Sequence, residues 1–383
     1  MPYNFDEIIS RRNSDSIKWC CYPQDVLPFW IADMDFQSPQ PVIDAIQRRV
    51  DQGFLGYPAD SIRLKEVICH RLWKLYSWKV EPDEIMFIPG VVVGFNFVIQ
   101  ALTNPQEAIL YQTPVYPPFL RAGKANNIQC LNSPLLRSED LDYTINFDGF
   151  SKTITPQTSM FLFCNPHNPV GRVYRPDELE KLAEICLENN LFICSDEIHA
   201  DLIFQGHYHT PIASLNPEIS AQTVTLMAPS KTYNIAGLCS SYAIVQNPDL
   251  MKKMKSVAHG MVGNVNLLGF TATEAAYRSC DDWLSELLLY LEENYKFLVH
   301  FFEEKIPEIK VTPIEGTYLA WLDCRALNLP QSPYEFFLTQ AKVAMNDGKS
   351  FGAGGEGFLR MNFGCPRGML QQGLQQMEQA LKE

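Results

Sequence analysis

The sequence contains no apolar run that approaches the roughly 18 residues of a membrane-spanning helix, and no charged-then-apolar signal segment opens it. It also lacks Asn-x-Ser/Thr, the glycosylation acceptor of secreted proteins. Acidic residues outnumber basic ones: the sequence has 44 Asp and Glu and 31 Lys and Arg, for a net charge of −13. This balance excludes the basic footprint of a nucleic-acid or anionic-membrane binder. We therefore expect a soluble, cytoplasmic protein that binds neither nucleic acid nor membrane.

Repeats, low-complexity tracts and Gly/Ser linkers are also missing, so any domains must pack closely together. The 383 residues, 46% of them hydrophobic, suffice for two or three domains around a large core. The eleven cysteines are scattered, odd in number and mostly placed in apolar stretches such as 161–164. This pattern is typical of buried thiols and not of a disulfide framework.

Short apolar strands alternate with helices through the middle of the chain. Strands are predicted at 85–88, 108–111, 160–164, 191–195 and 224–227. A helix predicted over 176–190, with proline and two acids in its first turn, connects two of them. Such alternation favours a parallel sheet. Later in the chain, a long helix at 281–304, strands near 317–323 and 357–363, and a closing helix from Pro366 predict a smaller α+β lobe.

Four predicted strand ends carry polar residues, and ligands of open α/β sheets bind beyond the carboxyl ends of strands. Asn168, Asp196 and Lys231 each follow one of these strands, and Gly90 precedes a helix that follows another. A lysine after an apolar strand suits a Schiff base, a buried carboxylate needs a cationic partner, and free helix N–H groups suit a phosphate. The alternatives are a solvated lysine, a helix cap and an ordinary strand-to-helix turn.

Together these features resemble the pyridoxal-phosphate-dependent fold type I superfamily, which is aspartate-aminotransferase-like, along nearly the whole chain. Asn168, Asp196 and Lys231 stand in the family order, Tyr116 lies in Thr-Pro-Val-Tyr-Pro-Pro and Arg360 in Phe-Leu-Arg-Met-Asn. Within the class I/II aminotransferases, the chain resembles most the cystathionine β-lyase, or C–S lyase, branch. The motifs are Phe-Trp-Ile-Ala-Asp-Met-Asp-Phe at 29–36, Gly-Tyr-Pro at 56–58, Asp-Glu-Ile-His at 196–199 and Glu-Gly-Thr-Tyr-Leu-Ala-Trp at 315–321.

The resemblance implies an α/β protein with two domains. The large domain, residues 46–275, has a mostly parallel seven-stranded sheet flanked by helices; residues 1–45 together with 276–383 form the smaller α+β domain. It also implies a homodimer with shared active sites, in which Tyr57 reaches the neighbouring subunit. The sequence departs from typical aminotransferases at His199, where they have tyrosine, and at Cys239, where they have a basic residue. The second departure leaves one phosphate contact unassigned.

Pyridoxal 5'-phosphate is the implied cofactor. The resemblance implies that Lys231 would hold its aldehyde as an imine and then act as the base, that Asp196 would keep the pyridine nitrogen protonated, and that Tyr116 would stack on the ring. The implied cofactor contacts are Lys231, Asp196, Asn168, Tyr116, Val92, Val93, Ser230, His199 and Tyr57; the implied substrate contacts are Arg360, Trp30, Ala32 and Asn168; the implied catalytic residues are Lys231, Tyr57 and Tyr116. Arg360 offers a planar fork to the carboxylate of an α-amino acid.

The implied activity is α,β-elimination of L-cystathionine, cysteine or a related S-substituted cysteine to a thiol, pyruvate and ammonia. The alternative is transamination between an L-amino acid and a 2-oxo acid. A dinucleotide-binding G-x-G-x-x-G at 352–357 is rejected, because it runs into a predicted strand near the end of the chain. His199, His207 and His209 with Asp201 lack zinc-site spacing, so no metal is expected. Retention of Lys231, Asp196 and Arg360 argues against a binding protein without turnover.

Overall fold

The computed structural model describes residues 3–259 and 263–383. Its strands are β1 (Leu27–Pro28), β2 (Ile85–Ile88), β3 (Ala108–Tyr111), β4 (Gln129–Asn132), β5 (Leu136–Arg137), β6 (Tyr143–Thr144), β7 (Thr158–Cys164), β8 (Phe192–Asp196), β9 (Thr223–Met227), β10 (Ser241–Ile244), β11 (Lys310–Val311), β12 (Leu319–Asp323), β13 (Val343–Ala344), β14 (Asn346–Asp347) and β15 (Phe358–Asn362).

The helices of the described residues are α1 (Ile17–Cys20), α2 (Gln40–Asp51), α3 (Ile62–Tyr76), α4 (Val91–Leu102), α5 (Pro117–Asn126), α6 (Phe147–Thr153), α7 (Pro176–Glu188), α8 (Pro217–Ala221), α9 (Pro248–Ala258), α10 (Leu267–Ser279), α11 (Asp281–Lys305), α12 (Pro333–Thr339) and α13 (Arg367–Lys382). In this part of the chain, no helix combines the length and the hydropathy that crossing a membrane requires.

The large sheet has seven strands in the order β2-β10-β9-β8-β7-β3-β4. Strand β10 runs antiparallel to both of its neighbours, and the remaining pairs are parallel. Strands β3, β8 and β9 are almost entirely buried, as expected when helices cover both faces of a parallel sheet. The expectation of an α/β fold with a mostly parallel seven-stranded sheet is therefore confirmed.

Helix α4 packs close against the large sheet and brings its N-terminus to the carboxyl edge of the strands. Gly90 precedes it with φ = +124°, a backbone conformation that side chains disfavour. A Cβ at Gly94 would lie 3.1 Å from a Leu226 side-chain carbon of β9, so this glycine permits the close approach. The sequence therefore places the first free N–H groups of α4 at the edge where the parallel strands end.

A second, antiparallel sheet has the order β11-β12-β15-β14. Helices α11 and α13 contact each other beside it, and their apolar faces join one core with β12 and β15. The predicted strands near 317–323 and 357–363 correspond to β12 and β15. The N-terminal segment joins this region, because β1 pairs in parallel with β13.

Helix ends follow local chemistry closely. The predicted helix over 176–190 begins at Pro176 as expected but ends at Glu188. Asn190 adopts a left-handed conformation with φ = +55°, and the N–H of Leu191 donates to the Cys186 carbonyl at 2.8 Å. This closes the helix two residues early.

Candidate active site

The candidate site lies where the parallel strands of the large sheet end. Asp196 is the last residue of β8, Asn168 follows β7, and Lys231 follows β9 after three intervening residues. Since β7, β8 and β9 are adjacent and parallel, their carboxyl ends meet at one edge. The structure thus brings together the three residues that the sequence predicted there.

Lys231 extends from its turn toward the N-terminal segment. Its Nζ donates to the Ala32 carbonyl at 2.8 Å, and the Tyr318 hydroxyl donates to the same oxygen at 3.2 Å. Burial lowers the pKa of Lys231 to about 8; Arg360 lowers it further, whereas Asp33 and Asp196 oppose the change. A substantial fraction of the amine is therefore neutral and nucleophilic near neutral pH.

Asp196 is a buried carboxylate, 4% exposed. Its Oδ1 accepts a hydrogen bond from the Ile198 N–H at 3.2 Å, and burial raises its pKa to about 7. The Glu197 charge contributes to the rise, while Lys231 opposes it. Within the described residues, Asp196 forms no salt bridge. A cation brought by a ligand would stabilise the charged form of this buried carboxylate.

Arg360, on β15, is held from three directions. Its guanidinium donates to Asn168 Oδ1 at 3.0 Å, to the Trp30 carbonyl at 3.0 Å and to Asn346 Oδ1 at 2.6 Å. The group lies 5.0 Å from the centre of the Phe351 ring. Burial lowers its pKa to about 10, so Arg360 remains cationic near neutral pH. Its Nε is buried and has no hydrogen-bond partner within the described residues.

The segment from Trp30 to Met34, which we call the strap, connects Arg360 to Lys231. The Trp30 carbonyl accepts from Arg360, and two residues later the Ala32 carbonyl accepts from Lys231. Between them, the Ile31 carbonyl accepts from the Asn362 amide at 2.6 Å. Trp30 and Ala32 therefore reach the site through backbone oxygens, and the Trp30 indole turns away to donate to the Lys18 carbonyl at 3.1 Å.

His199, which is buried, and Tyr116, which is half-buried, complete the wall of the site. The His199 ring meets the Tyr318 ring edge-on at 6.2 Å, and its Nδ1 lacks a hydrogen-bond partner in the described part of the chain. Burial lowers the pKa of His199 to about 3, assisted by the charges of Lys231 and Arg360, so the imidazole is neutral. Burial raises the pKa of Tyr116. The positive charge of Arg360 opposes this rise, and the negative charge of Asp196 adds to it. Both residues share the electrostatic environment of the site.

The predicted phosphate contacts lie at the same edge. Val92 and Val93 occupy the first turn of α4, where N–H groups lack helical acceptors, and Ser230 directly precedes Lys231. Strands β2 and β9 both pair with β10, so the end of β2 and the end of β9 flank one strand. Cys239 is exposed and left-handed, with φ = +47°.

Tyr57 stands apart from these residues within one chain. It is 104% exposed and lines a surface groove with residues 55–58 and 263–268. It is not among the residues that line the cavity beside Lys231. The role expected for Tyr57 at the site therefore stays a prediction.

The histidines weighed as metal ligands separate in the structure. His209 pairs with Glu197 at 2.8 Å, His207 lies 3.8 Å from Glu315, and Asp201 pairs with Arg71 at 2.7 Å. No group of three or more His, Cys, Asp or Glu residues suited to a metal ion occurs in residues 3–259 and 263–383.

Sequence reasoning did not identify Asn346, Tyr318 or Asp33 as site residues. Asn346 lies on β14 beside Arg360, and its register opposite Arg360 sets their contact. Tyr318 falls within a motif that carried the family resemblance, but its hydroxyl contact with the strap spans 286 positions. No spacing in the sequence signals such contacts.

Comparison with known proteins identifies the family of this chain. The chain is 39% identical over 388 aligned positions to the cystathionine beta-lyase PatB of Bacillus subtilis, covering 99% of this chain and 100% of that protein. A PLP-bound putative aminotransferase from Clostridium difficile superposes with a TM-score of 0.96 at 39% identity, over 99% of this chain and 100% of that one.

The PLP-bound C-S lyase of Staphylococcus hominis gives a TM-score of 0.93 at 34% identity, over 100% of this chain and 98% of that one. The family model for aminotransferase class I and II matches residues 24–377. With a half-buried lysine and a buried aspartate at one edge of the large sheet, and a buried arginine of the second sheet that donates to Asn168, this chain belongs to the aminotransferase class I and II family.

Proposed function

We propose that this protein is a pyridoxal-phosphate-dependent carbon–sulfur β-lyase that cleaves L-cystathionine or a related S-substituted cysteine to a thiol, pyruvate and ammonia. The observation that carries the proposal is the Lys231 amine, which burial shifts toward its neutral form and which the strap links to Arg360. The similarity to the B. subtilis and S. hominis proteins, named as lyases, supports this reaction over others of the family.

The residues present fit pyridoxal phosphate. Asp196 is a buried carboxylate with a raised pKa and no salt bridge within the described residues, which a protonated pyridine nitrogen would complete. We propose that Val92, Val93 and Ser230 hold the phosphate, with Asn168, Tyr116 and His199 around the ring. When bound, the cofactor supplies an aldehyde for the lysine amine and an electron-poor ring that accepts electrons from the substrate Cα. It would lie in a large domain of residues 46–275.

Arg360 binds the substrate, and Lys231 removes a proton from it. Arg360, cationic and oriented by Asn168 and Asn346, binds the α-carboxylate in bidentate fashion. The same contacts orient the Cα–H bond toward Lys231, whose Nζ removes the proton. The Ala32 carbonyl, which also accepts a hydrogen bond from the Tyr318 hydroxyl, holds that amine within the site. Elimination follows when the electron pair left at Cα forms a Cα–Cβ double bond and the sulfur departs from Cβ with the electron pair of its bond and takes up a proton. Water then hydrolyses the released enamine to pyruvate and ammonia.

Transamination is the second candidate, because the C. difficile neighbour is titled a putative aminotransferase. The two reactions share proton removal by Lys231 and differ in the fate of the Cβ substituent. A thiol product marks elimination, whereas glutamate formed from 2-oxoglutarate marks transamination.

We propose further that the protein forms a homodimer with shared active sites. Phe54, Leu55 and Tyr57 are strongly exposed large side chains on one segment, a pattern typical of an interaction surface. Tyr57 would then act as a catalytic and cofactor contact in the neighbouring subunit. A cytoplasmic location is proposed because all eleven cysteines are unpaired, as is typical of a reducing compartment.

The experiment uses purified protein reconstituted with pyridoxal phosphate and given L-cystathionine. Pyruvate, ammonia and thiol in equal amounts are expected, and Lys231→Ala should lose both the visible absorption of the bound cofactor and all three products. Absence of thiol from the wild-type protein would overturn the lyase assignment. Normal activity of Lys231→Ala would overturn the role of the lysine.

A further inference from the structure

A cavity of about 550 Å³ opens beside Lys231 and extends toward the N-terminal segment. Its wall contains the Lys231 side chain together with Arg11 and Asp33, two charged residues that the reaction described above does not use. Ile17 and Ile31 contribute apolar surface to the same wall. A group leaving from the substrate Cβ would enter a space that is apolar in part and charged in part.

Among the carboxylates in this wall, Asp33 has an oxygen that accepts no hydrogen bond from the described residues. Its Oδ2 accepts a hydrogen bond from Arg11 at 2.9 Å, while Oδ1 accepts none from the residues that the structure describes. The side chain is 24% exposed. Asp35, by contrast, is occupied by a fully buried Lys18 at 2.6 Å and by the Trp19 indole at 2.8 Å.

Asp33 is the neighbour in sequence of the strap residue that contacts Lys231. It directly follows Ala32, whose carbonyl oxygen lies 2.8 Å from Lys231 Nζ, and neighbouring Cα atoms are about 3.8 Å apart. Asp33 is also the first opposite charge that acts on the Lys231 amine. Asp33 and Lys231 line the same cavity, which is where atoms three or four bonds beyond a sulfur on Cβ would lie.

We propose that Asp33 is a specificity-determining residue that binds an ammonium group on the leaving thiol. The proposal rests on the β-lyase function and names its substrate class: S-substituted cysteines that carry a cationic amine two or three carbons from sulfur. L-Cystathionine belongs to this class. A carboxylate oxygen without a partner in a partly desolvated wall is suited to a charge-assisted hydrogen bond from such an amine.

The test compares two substrates that differ only at the distal atom. S-(2-Aminoethyl)-L-cysteine ends in an ammonium group, and S-propyl-L-cysteine ends in a methyl group on a chain of equal length. The ratio of their kcat/KM values cancels every effect on the shared chemistry at Lys231. The wild-type holoenzyme should favour the amine, and Asp33→Asn should lower the ratio by about tenfold or more, as loss of a hydrogen bond to a charged group does.

Asp15→Asn is the matched control, because it makes the same charge change at an exposed residue of the N-terminal segment outside the cavity, and it should leave the ratio unchanged. Raising the ionic strength should lower the ratio in the wild-type enzyme, a measurement that needs no variant. A ratio that is the same in Asp33→Asn and wild type, including an equal fall for both substrates, would overturn the proposal.

Failure of the β-lyase assignment would give a different result. In that case the wild-type holoenzyme would release no pyruvate from either substrate. The dissociation constants of the two amino acids, followed through the visible absorption of the bound cofactor, would still report the preference for the amine and its loss in Asp33→Asn.

Discussion

Replacing Asp196 with asparagine should stabilise the cofactor-free protein, and the gain should grow with pH. Burial raises the pKa of this carboxyl from 3.8 to about 7 in the folded chain, whereas the unfolded chain keeps the ordinary value. Between these pH values the folded state holds a proton that the unfolded state has lost, so stability falls as pH rises through this window. Above about pH 7 the full penalty of burying the charged form is present.

The magnitude follows from the two pKa values. They differ by about three, which corresponds to about 4 kcal/mol at roughly 1.4 kcal/mol for each tenfold change in the equilibrium. Asparagine keeps the shape and cannot ionise. Relative to the wild type, Asp196→Asn should therefore raise the free energy of unfolding by about 2 kcal/mol at pH 5.5 and about 4 kcal/mol at pH 8.5.

Urea unfolding followed by tryptophan fluorescence measures both values on cofactor-free protein. Asp140→Asn, at an exposed aspartate, is the control and should show no pH-dependent gain. In the holoenzyme the advantage of Asp196→Asn should disappear, because the carboxylate then has a cationic partner. A variant that is no more stable than the wild type, or whose gain shrinks as pH rises, would refute the reasoning.

Three further predictions concern the other site residues. In the cofactor-free protein, acylation of Lys231 by an amine-selective reagent, followed by mass spectrometry, should be half-maximal near the pKa of about 8; a midpoint near about 10, the ordinary lysine value, would contradict the burial argument. Arg360→Lys should weaken amino-acid binding to the holoenzyme about tenfold to hundredfold, since a point charge cannot replace a fork of two donors, and an unchanged dissociation constant would exclude the carboxylate role. A mixed dimer of one Lys231→Ala and one Tyr57→Phe subunit should regain one complete site and half of the wild-type activity if Tyr57 acts across the interface; activity no higher than that of the Tyr57→Phe homodimer would place Tyr57 in its own subunit's site or away from both.

Sequence periodicity located the elements whose residues are mostly apolar. The predicted strands at 160–164 and 191–195 match β7 and β8 within two residues, because long buried strands carry a continuous apolar run. The sequence reading did not locate β4 and β10, which have four residues each. Strand β4 is a partly exposed edge strand, and β10 runs against its neighbours, so pairing in the folded sheet and not local pattern defines them.

The site residues that come directly after strands could be predicted from the sequence. Asn168, Asp196 and Lys231 follow apolar strands, and parallel topology alone brings them together. The contacts of Arg360 with Asn346 and with the Trp30 carbonyl depend on how the second sheet and the strap pack, which local sequence does not encode. Tyr57 is exposed in the single chain, so its proposed role depends on a subunit interface.

The most direct test of the central claim gives the reconstituted enzyme L-cystathionine and 2-oxoglutarate together and measures thiol and glutamate in the same sample. Either reaction would begin with proton removal by the same Lys231 amine, so the ratio of the two products reports which one this site performs. We predict thiol in an amount equal to pyruvate and to ammonia, with glutamate a small fraction. Glutamate in excess over thiol would contradict it and identify the protein as an aminotransferase.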